Sequence, residues 1–322
     1  AIDVGFTQTP TGFHRKHSAA KERRRMSLRL STVALDGSGL SLLTHLPANP
    51  LAYIRGGDGL VGWGEAVRLE AHGPNRIQEL SRLWRELAAS AEVDDQVKLP
   101  GTGLVAFGSI AFADSSETAS ALIVPKILLG LRDGRAWITK VAIDSSGLPV
   151  DFSGANEFWS QPSTFASNAP VTLGSGAQSA DAFKASVEKA VATIAKGDLE
   201  KVVLARDLVG SLPEAFDIRA SLAKLANRFP TCWIYSVDGL FGASPELLVR
   251  VAHGQVSARV LAGTAGRGTD PEVDKAISAA LAASAKNTTE HAFAVDSLVQ
   301  TLAPFCEHVD ADPKPFSLAL PN

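Results

Sequence analysis

Strands that follow one another in hairpin order, with helices standing alone between them, predict an α+β fold. Turn chemistry carries that reading. Asp133-Gly134 lies between two apolar runs in KILLGLRDGRAWITKV, a strong signal for a two-residue hairpin. Asp238-Gly239 and His253-Gly254 break CWIYSVDGLFGASPELLVRVAHGQVSARVLAG into successive antiparallel strands. The helical patterns do not alternate one for one with strands, which argues against a doubly wound parallel sheet.

Taken in order, the chain first shows a basic arm, HRKHSAAKERRR, from His14 to Arg25, between Ala1 and the only methionine, Met26. A run this charged predicts a solvated, mobile tail. From Met26 to about Val141 the signals are mostly β, in LVGWGEAVRL, LVAFGSIAF and the Asp133-Gly134 hairpin. One helix interrupts after Pro74, with Ile77, Leu80, Leu83, Trp84 and Leu87 on one face. Asp144 to about Ser179 is rich in Ser, Gly, Pro and Asn and reads as a long surface connection.

A clear helix follows in SADAFKASVEKAVATIAKGD. Phe183, Val187, Ala190, Val191 and Ile194 form its stripe, Ser179 or Asp181 can cap it, and Gly197 ends it. In GDLEKVVLARDLVG the apolar run Val202 to Ala205 predicts a short strand covered on both faces, with Lys201 at its mouth. A short helix from about Phe216 to Phe229 precedes the hairpin strands, and a helical stretch from about Pro271 to Leu302 follows them.

Composition narrows the function classes. At 322 residues the chain can build two domains or one large α+β unit. A net charge of -3 gives no electrostatic case for nucleic acid or an anionic membrane, and no apolar run approaches a membrane span. Cys232 and Cys306 lie far apart and form no CxxC pair, so a disulfide scaffold or zinc site is not expected and a reducing cytoplasm fits.

Four local features could carry chemistry, and each has a plain structural alternative. Lys201 is either a strand-edge lysine reaching water or a base, since burial favours the neutral amine that can take a proton. Glu246, in GASPELLVRV, is a solvated strand-end carboxylate or an acid kept protonated by an apolar site, aimed by the rigid Pro245 before it. LAGTAGRG, Leu261 to Gly268, is an ordinary strand-to-helix turn or a loop whose N–H groups face an anion; it fits neither GxxxxGK[ST] nor GxGxxG. Glu290, in KNTTEHAFAVDSLVQTL, either pairs with Lys286 on a wet surface or uses the small-residue face made by Ala294, Ser297 and Thr301 to approach a ligand. On the same helix His291, Val295, Leu298 and Leu302 share the apolar face, which makes His291 a packed core histidine.

In this order and roughly at this spacing, GDLEKVVLAR, FGASPELLVRV, LAGTAGRG and KNTTEHAFAVD together resemble the chorismate-utilising enzymes: isochorismate and salicylate synthases, anthranilate synthase component I and aminodeoxychorismate synthase component I. The resemblance runs from about Trp63 to the last residue. It implies that family's fold, large antiparallel sheets packed together with flanking helices. The organisation then reads as a basic arm over 1–29, a β-rich half over 30–145, a connection over 146–180 and a chorismate-binding half over 181–322. Ammonia-using members carry Gln where this chain has Lys201, and aminodeoxychorismate synthases place a lysine where it has Ala262. The resemblance is therefore nearest to isochorismate synthase, with salicylate synthase as the alternative.

What the resemblance implies for the site is a base at Lys201, an acid at Glu246, a substrate-carboxylate cradle at Ala262, Gly263 and Thr264, and a Mg2+ ligand at Glu290. Chorismate would be the substrate, Mg2+ the cofactor and a monomer the working form, serving quinone or siderophore synthesis. The family carries further metal and substrate ligands beyond the position of Asn322, and PFSLALPN stops in an apolar strand-like run, so the sequence is expected to lack part of the natural protein. If that part were truly absent, an inactive relative would be the expectation. One more departure is Asn287, where the family usually has Asp.

Overall fold

The computed structural model describes residues 2–7, 27–144, 165, 170–214, 216–312 and 315–319. In its first part lie β1 (Ile2–Thr7), β2 (Ser27–Leu35), β3 (Leu51–Arg55), β4 (Asp58–Trp63), β5 (Val67–Ala71), α1 (Arg76–Ser90) and β6 (Glu92–Asp95). β7 (Phe107–Ser109), β8 (Ser120–Val124), β9 (Ile127–Arg132), β10 (Arg135–Asp144), β11 (Leu173–Ser175), α2 (Ala180–Ala195) and β12 (Leu208–Gly210) follow. The remainder comprises α3 (Ile218–Arg228), β13 (Trp233–Val237), β14 (Leu240–Ser244), β15 (Leu247–Ala252), β16 (Gln255–Val260), α4 (Pro271–Ala283), α5 (Ala285–Leu302) and β17 (His308–Ala311). The fold class is α+β, as expected.

Two compact units result. One comprises residues 13–167 and 217–245, the other 1–12, 168–216 and 246–322. The boundary differs from the halves read in the sequence, because α3, β13 and β14 belong with the earlier strands.

The first unit is built on an eight-stranded sheet, β14-β13-β3-β4-β9-β10-β2-β6, antiparallel except for the parallel pair β2–β6. β5, β8 and β7 form a separate three-stranded sheet. Turn chemistry sets the hairpins. Asp133 and Gly134 have φ of 49° and 75° between β9 and β10, and Asp238 and Gly239 have 53° and 84° between β13 and β14. Both central residues at positive φ give the twist that two-residue hairpins need, and an Asx-Gly pair tolerates it best. Leu42, Ala52, Ile54, Val61, Leu129 and Ile138 are the centre of the core, which Leu222 of α3 closes. Trp137 is 1% exposed, donates from Nε1 to the Gly101 carbonyl at 3.1 Å, and lies opposite Gly130, where any Cβ would collide with the indole.

α1 buries Leu80 and half-buries Leu83, Trp84 and Leu87, but Ile77 is exposed, contrary to the expected face. The buried position in the first turn goes to Arg76. Its guanidinium donates to the carbonyls of Gly73, Ala111 and Phe112 and pairs with Asp114. Saturating a guanidinium with three carbonyls and a carboxylate makes its burial tolerable.

The second unit holds the sheet β15-β16-β1-β17 and the pair β11–β12. His253 and Gly254, with φ of 51° and 76°, turn β15 into β16 as the sequence predicts. α5 lays His291 and Val295 into a small core with Val256, flanked by Leu298 and Leu302. That is the face read from the sequence. Ser179 caps α2, accepting from the Ala182 N–H, and Gly197 at φ 80° follows its C-cap.

Four expectations need correction here. The stretch from Pro271 to Leu302 is two helices, because Ser284 leaves helical geometry and its hydroxyl accepts from Asn287 N–H to start α5. The stripe of α2 is not buried: Val187, Val191 and Ile194 are all exposed. Val202 to Ala205 form no strand and are exposed, since among the described residues no neighbouring strand pairs with 201–207 and only 208–210 join β11. Ile2–Thr7, counted in the mobile arm, form β1 between β16 and β17. His14 to Arg25, and most of the connection over 146–180, lie outside the described residues. Both thiols are free, and among the described residues no helix is long and apolar enough to cross a membrane.

Candidate active site

All six residues singled out by the sequence fall in the second unit. Lys201 sits four residues beyond Gly197, in a segment without regular secondary structure rather than at the mouth of a buried strand. Its ammonium donates to the backbone carbonyl of Glu290 at 3.1 Å and lies 3.9 Å from Glu290 Oε1. The two side chains are 28% and 35% exposed, so the pair is partly screened and remains open to a solute. Glu290 therefore turns to Lys201, not to Lys286 one helical turn earlier. The sequence carries no signal for this contact, which joins residues far apart in the chain.

The small-residue loop is held against the same helix. Gly263 has φ 77°, and a Cβ there would come within 3.2 Å of Cβ and Oδ1 of Asn287. Glycine is thus required both by the backbone conformation and by the close approach of α5. Just before the loop, the carbonyl of Val260 receives His291 Nε2 at 3.3 Å. Ala262 is half-buried and Thr264 exposed. The far end of the loop is tied down separately: Arg267 forks onto Asp274 at 2.8 Å through Nε and a terminal nitrogen, and Asp274 also accepts the Gly268 N–H. Arg267 holds the Asp274 carboxyl below the usual carboxylate range. That guanidinium is paired with α4.

Glu246 precedes β15, whose Leu247 pairs with Arg259 of β16. Antiparallel register therefore puts Glu246 at the end of the sheet where β16 runs into the loop. It is exposed, in contrast to the apolar pocket that an acid with a raised pKa calls for. Lys201, Glu290 and the loop are thus brought together on α5, and Glu246 is placed at the same sheet end by register.

His291 is 4% exposed. Burial holds its imidazole below the ordinary histidine range, and the positive charge of Lys201 adds to the effect. Its bond to a carbonyl requires Nε2 to carry a proton. For a metal, the described residues contain no group of three His, Cys, Asp or Glu side chains, so Glu290 would offer a single carboxylate. One carboxylate with oxygens from substrate and water is a donor set that Mg2+ accepts, though not a protein cage.

Residues 40–322 match the family model described as chorismate binding enzyme. The chain is 29% identical over 280 residues to the salicylate biosynthesis isochorismate synthase of Pseudomonas aeruginosa, covering 79% of this chain and 56% of that protein. It is 36% identical over 144 residues to the isochorismate synthase DhbC of Bacillus subtilis, covering 41% of this chain and 36% of that one. The chain thus spans about half or less of the length of these curated relatives. The fold is also that of MenF, the menaquinone-specific isochorismate synthase from Escherichia coli, with a TM-score of 0.63 at 22% identity over 86% of this chain and 64% of that one. With a family model covering most of its length, the chain belongs to the chorismate binding enzymes.

Proposed function

We propose that this chain is the chorismate-to-isochorismate catalyst of its family, an isomerase that adds water at C2 while the 4-hydroxyl leaves. The observation that carries this reading is the meeting of Lys201 and the Gly263 end of the loop on one turn of α5, at Glu290 and Asn287. The reaction needs a base for the incoming water and an acid for the departing hydroxyl, on opposite sides of the ring. Lys201, after its ammonium has given a proton to solvent, takes the water proton as oxygen bonds to C2, the ring double bond shifts, and the C4–O bond breaks with a proton from Glu246. Water is consumed and released, so the sum is an isomerisation, and the ammonium and carboxylate left behind reset by exchanging protons with solvent. Gly263 and Thr264 hold a substrate carboxylate through N–H and hydroxyl, with Ala262 leaving that cradle free of a second amine. Glu290 would be the protein's carboxylate for Mg2+, which when bound would supply charge neutralisation for a dicarboxylate.

The test is product analysis after incubation with chorismate and Mg2+. Isochorismate alone is expected. Salicylate with one equivalent of pyruvate would assign the chain to salicylate synthesis, and unchanged chorismate in the presence of Mg2+ would sink the catalytic reading.

A further inference from the structure

His291 is a buried polar side chain for which the reaction above has no use. Its imidazole sits one residue beyond Glu290, whose carbonyl holds Lys201, and its Nε2–H reaches the carbonyl of Val260, the last residue of β16 before the loop. Resting on the proposed reaction, we propose that His291 is a positioning residue: its hydrogen bond to Val260 ties the end of β16 to α5, and so sets where Ala262, Gly263 and Thr264 stand relative to Glu290 and Lys201.

Three features support this. First, the same turn of α5 touches the chain on both sides of the gap. Asn287 abuts Gly263 and His291 holds Val260, so the loop's entry is fixed at two points three residues apart. Second, His291 is buried on the same helix as Val295, and an apolar side chain of its size would keep the site filled but could not donate to the Val260 carbonyl. Third, β15 meets β16 through a register shift between Leu247 and Arg250, and the regular ladder of β16 with β1 ends at Ile2 and Val260, so among the described residues no strand pairing restrains the loop beyond Val260.

The bond acts on the carboxylate cradle more directly than on the proton-transferring groups, so its loss should appear in KM before kcat. The experiment compares parent, H291L and H291Q for kcat, KM for chorismate and thermal midpoint. H291L keeps volume without a donor and is expected to raise KM about tenfold, with kcat within about threefold, the scale of one hydrogen bond left unmade. H291Q carries an N–H to about the reach of Nε2 and is expected to restore KM to within about threefold of the parent. Should H291L fail to fold, the more pliable H291M takes its place. A parental KM in the apolar variant, or equal impairment of the apolar and glutamine variants, overturns the positioning role. A parent that neither binds nor converts chorismate overturns the proposed reaction and this role with it, so the two failures are told apart by the parent alone.

Discussion

The two units of this chain spend their apolar residues differently. In the first, Ala52, Val61, Val124, Leu129 and Leu222 are fully buried, and the strands carrying Ala52, Val61 and Leu129 pair on both sides in the large sheet. In the second, α2 and α4 bury no residue, and Val203 and Leu248 are 79% and 82% exposed. Yet the candidate catalytic groups all lie in the second unit. A densely packed core keeps its residues for packing, whereas half-exposed side chains such as Lys201 and Glu290 can meet a substrate. Stability and chemistry should therefore respond to different substitutions.

The largest separation is expected at Lys201. K201Q and K201A should lose about 10² to 10⁴ in chorismate turnover, the scale of a general base. Circular dichroism and thermal midpoint should stay at parental values, because the side chain packs into no core. More than a few per cent residual turnover would remove the base assignment. E246Q, which keeps shape without a transferable proton, tests the partner role in the same assay, and parental activity there would end the two-residue mechanism. E290Q should raise the Mg2+ concentration needed for half-maximal turnover before it alters anything else.

The converse case is Trp137. W137A should cost about 3–5 kcal/mol in urea unfolding, the range for a fully buried aromatic, and should do so without involving any candidate catalytic group. G130A should fail in the same direction, since its methyl would enter the space of the indole. A stable W137A would mean that the first unit is not the rigid partner in the comparison.

These contrasts also mark what the sequence could tell. Asp133-Gly134, Asp238-Gly239 and His253-Gly254 were readable because turn geometry is decided by the two residues that occupy it. The α5 face from His291 to Leu302 was readable because a helix displays its own period. The segment after Lys201 misled: an apolar run shows what a strand would look like but not whether a neighbour offers hydrogen bonds. Contacts between distant residues, such as Lys201 with Glu290 or Asn287 with Gly263, left no local trace. The pairing of Tyr235 with Tyr53 was equally hidden, and it moves β13 and β14 into the first unit.

A smaller effect is expected at Asp95, which anchors the turn after β6. Burial pushes its carboxyl up, but the N–H of Lys98, the Thr102 hydroxyl and the N–H of Val97 outweigh this and hold it below the usual carboxylate range. A lowered pKa stabilises the folded state above the unfolded value of about 3.9, and that contribution is lost as pH falls through the folded value. D95N should therefore be less stable than the parent at pH 7, by about 1 kcal/mol or somewhat more, and the gap should close as pH falls through the folded value. A gap independent of pH would assign the loss to shape, not charge.

The smallest effect is expected where the second unit exposes apolar side chains. Val203 lies in the unpaired segment after Lys201, and Leu248 lies in β15, at the edge of its sheet. A side chain that is four-fifths exposed has little transfer free energy to lose, so V203Q and L248Q should each change unfolding free energy by less than about 0.5 kcal/mol. An exposed apolar edge strand is also a template for pairing between chains, and L248Q should lower the tendency to aggregate at constant stability. Urea unfolding followed by light scattering separates the two quantities. A loss of about 2 kcal/mol or more from either substitution is the size expected for a buried aliphatic side chain. It would show that polypeptide covers these residues in solution, and the contrast between a packed unit and an open one would then fail at the point where it is sharpest.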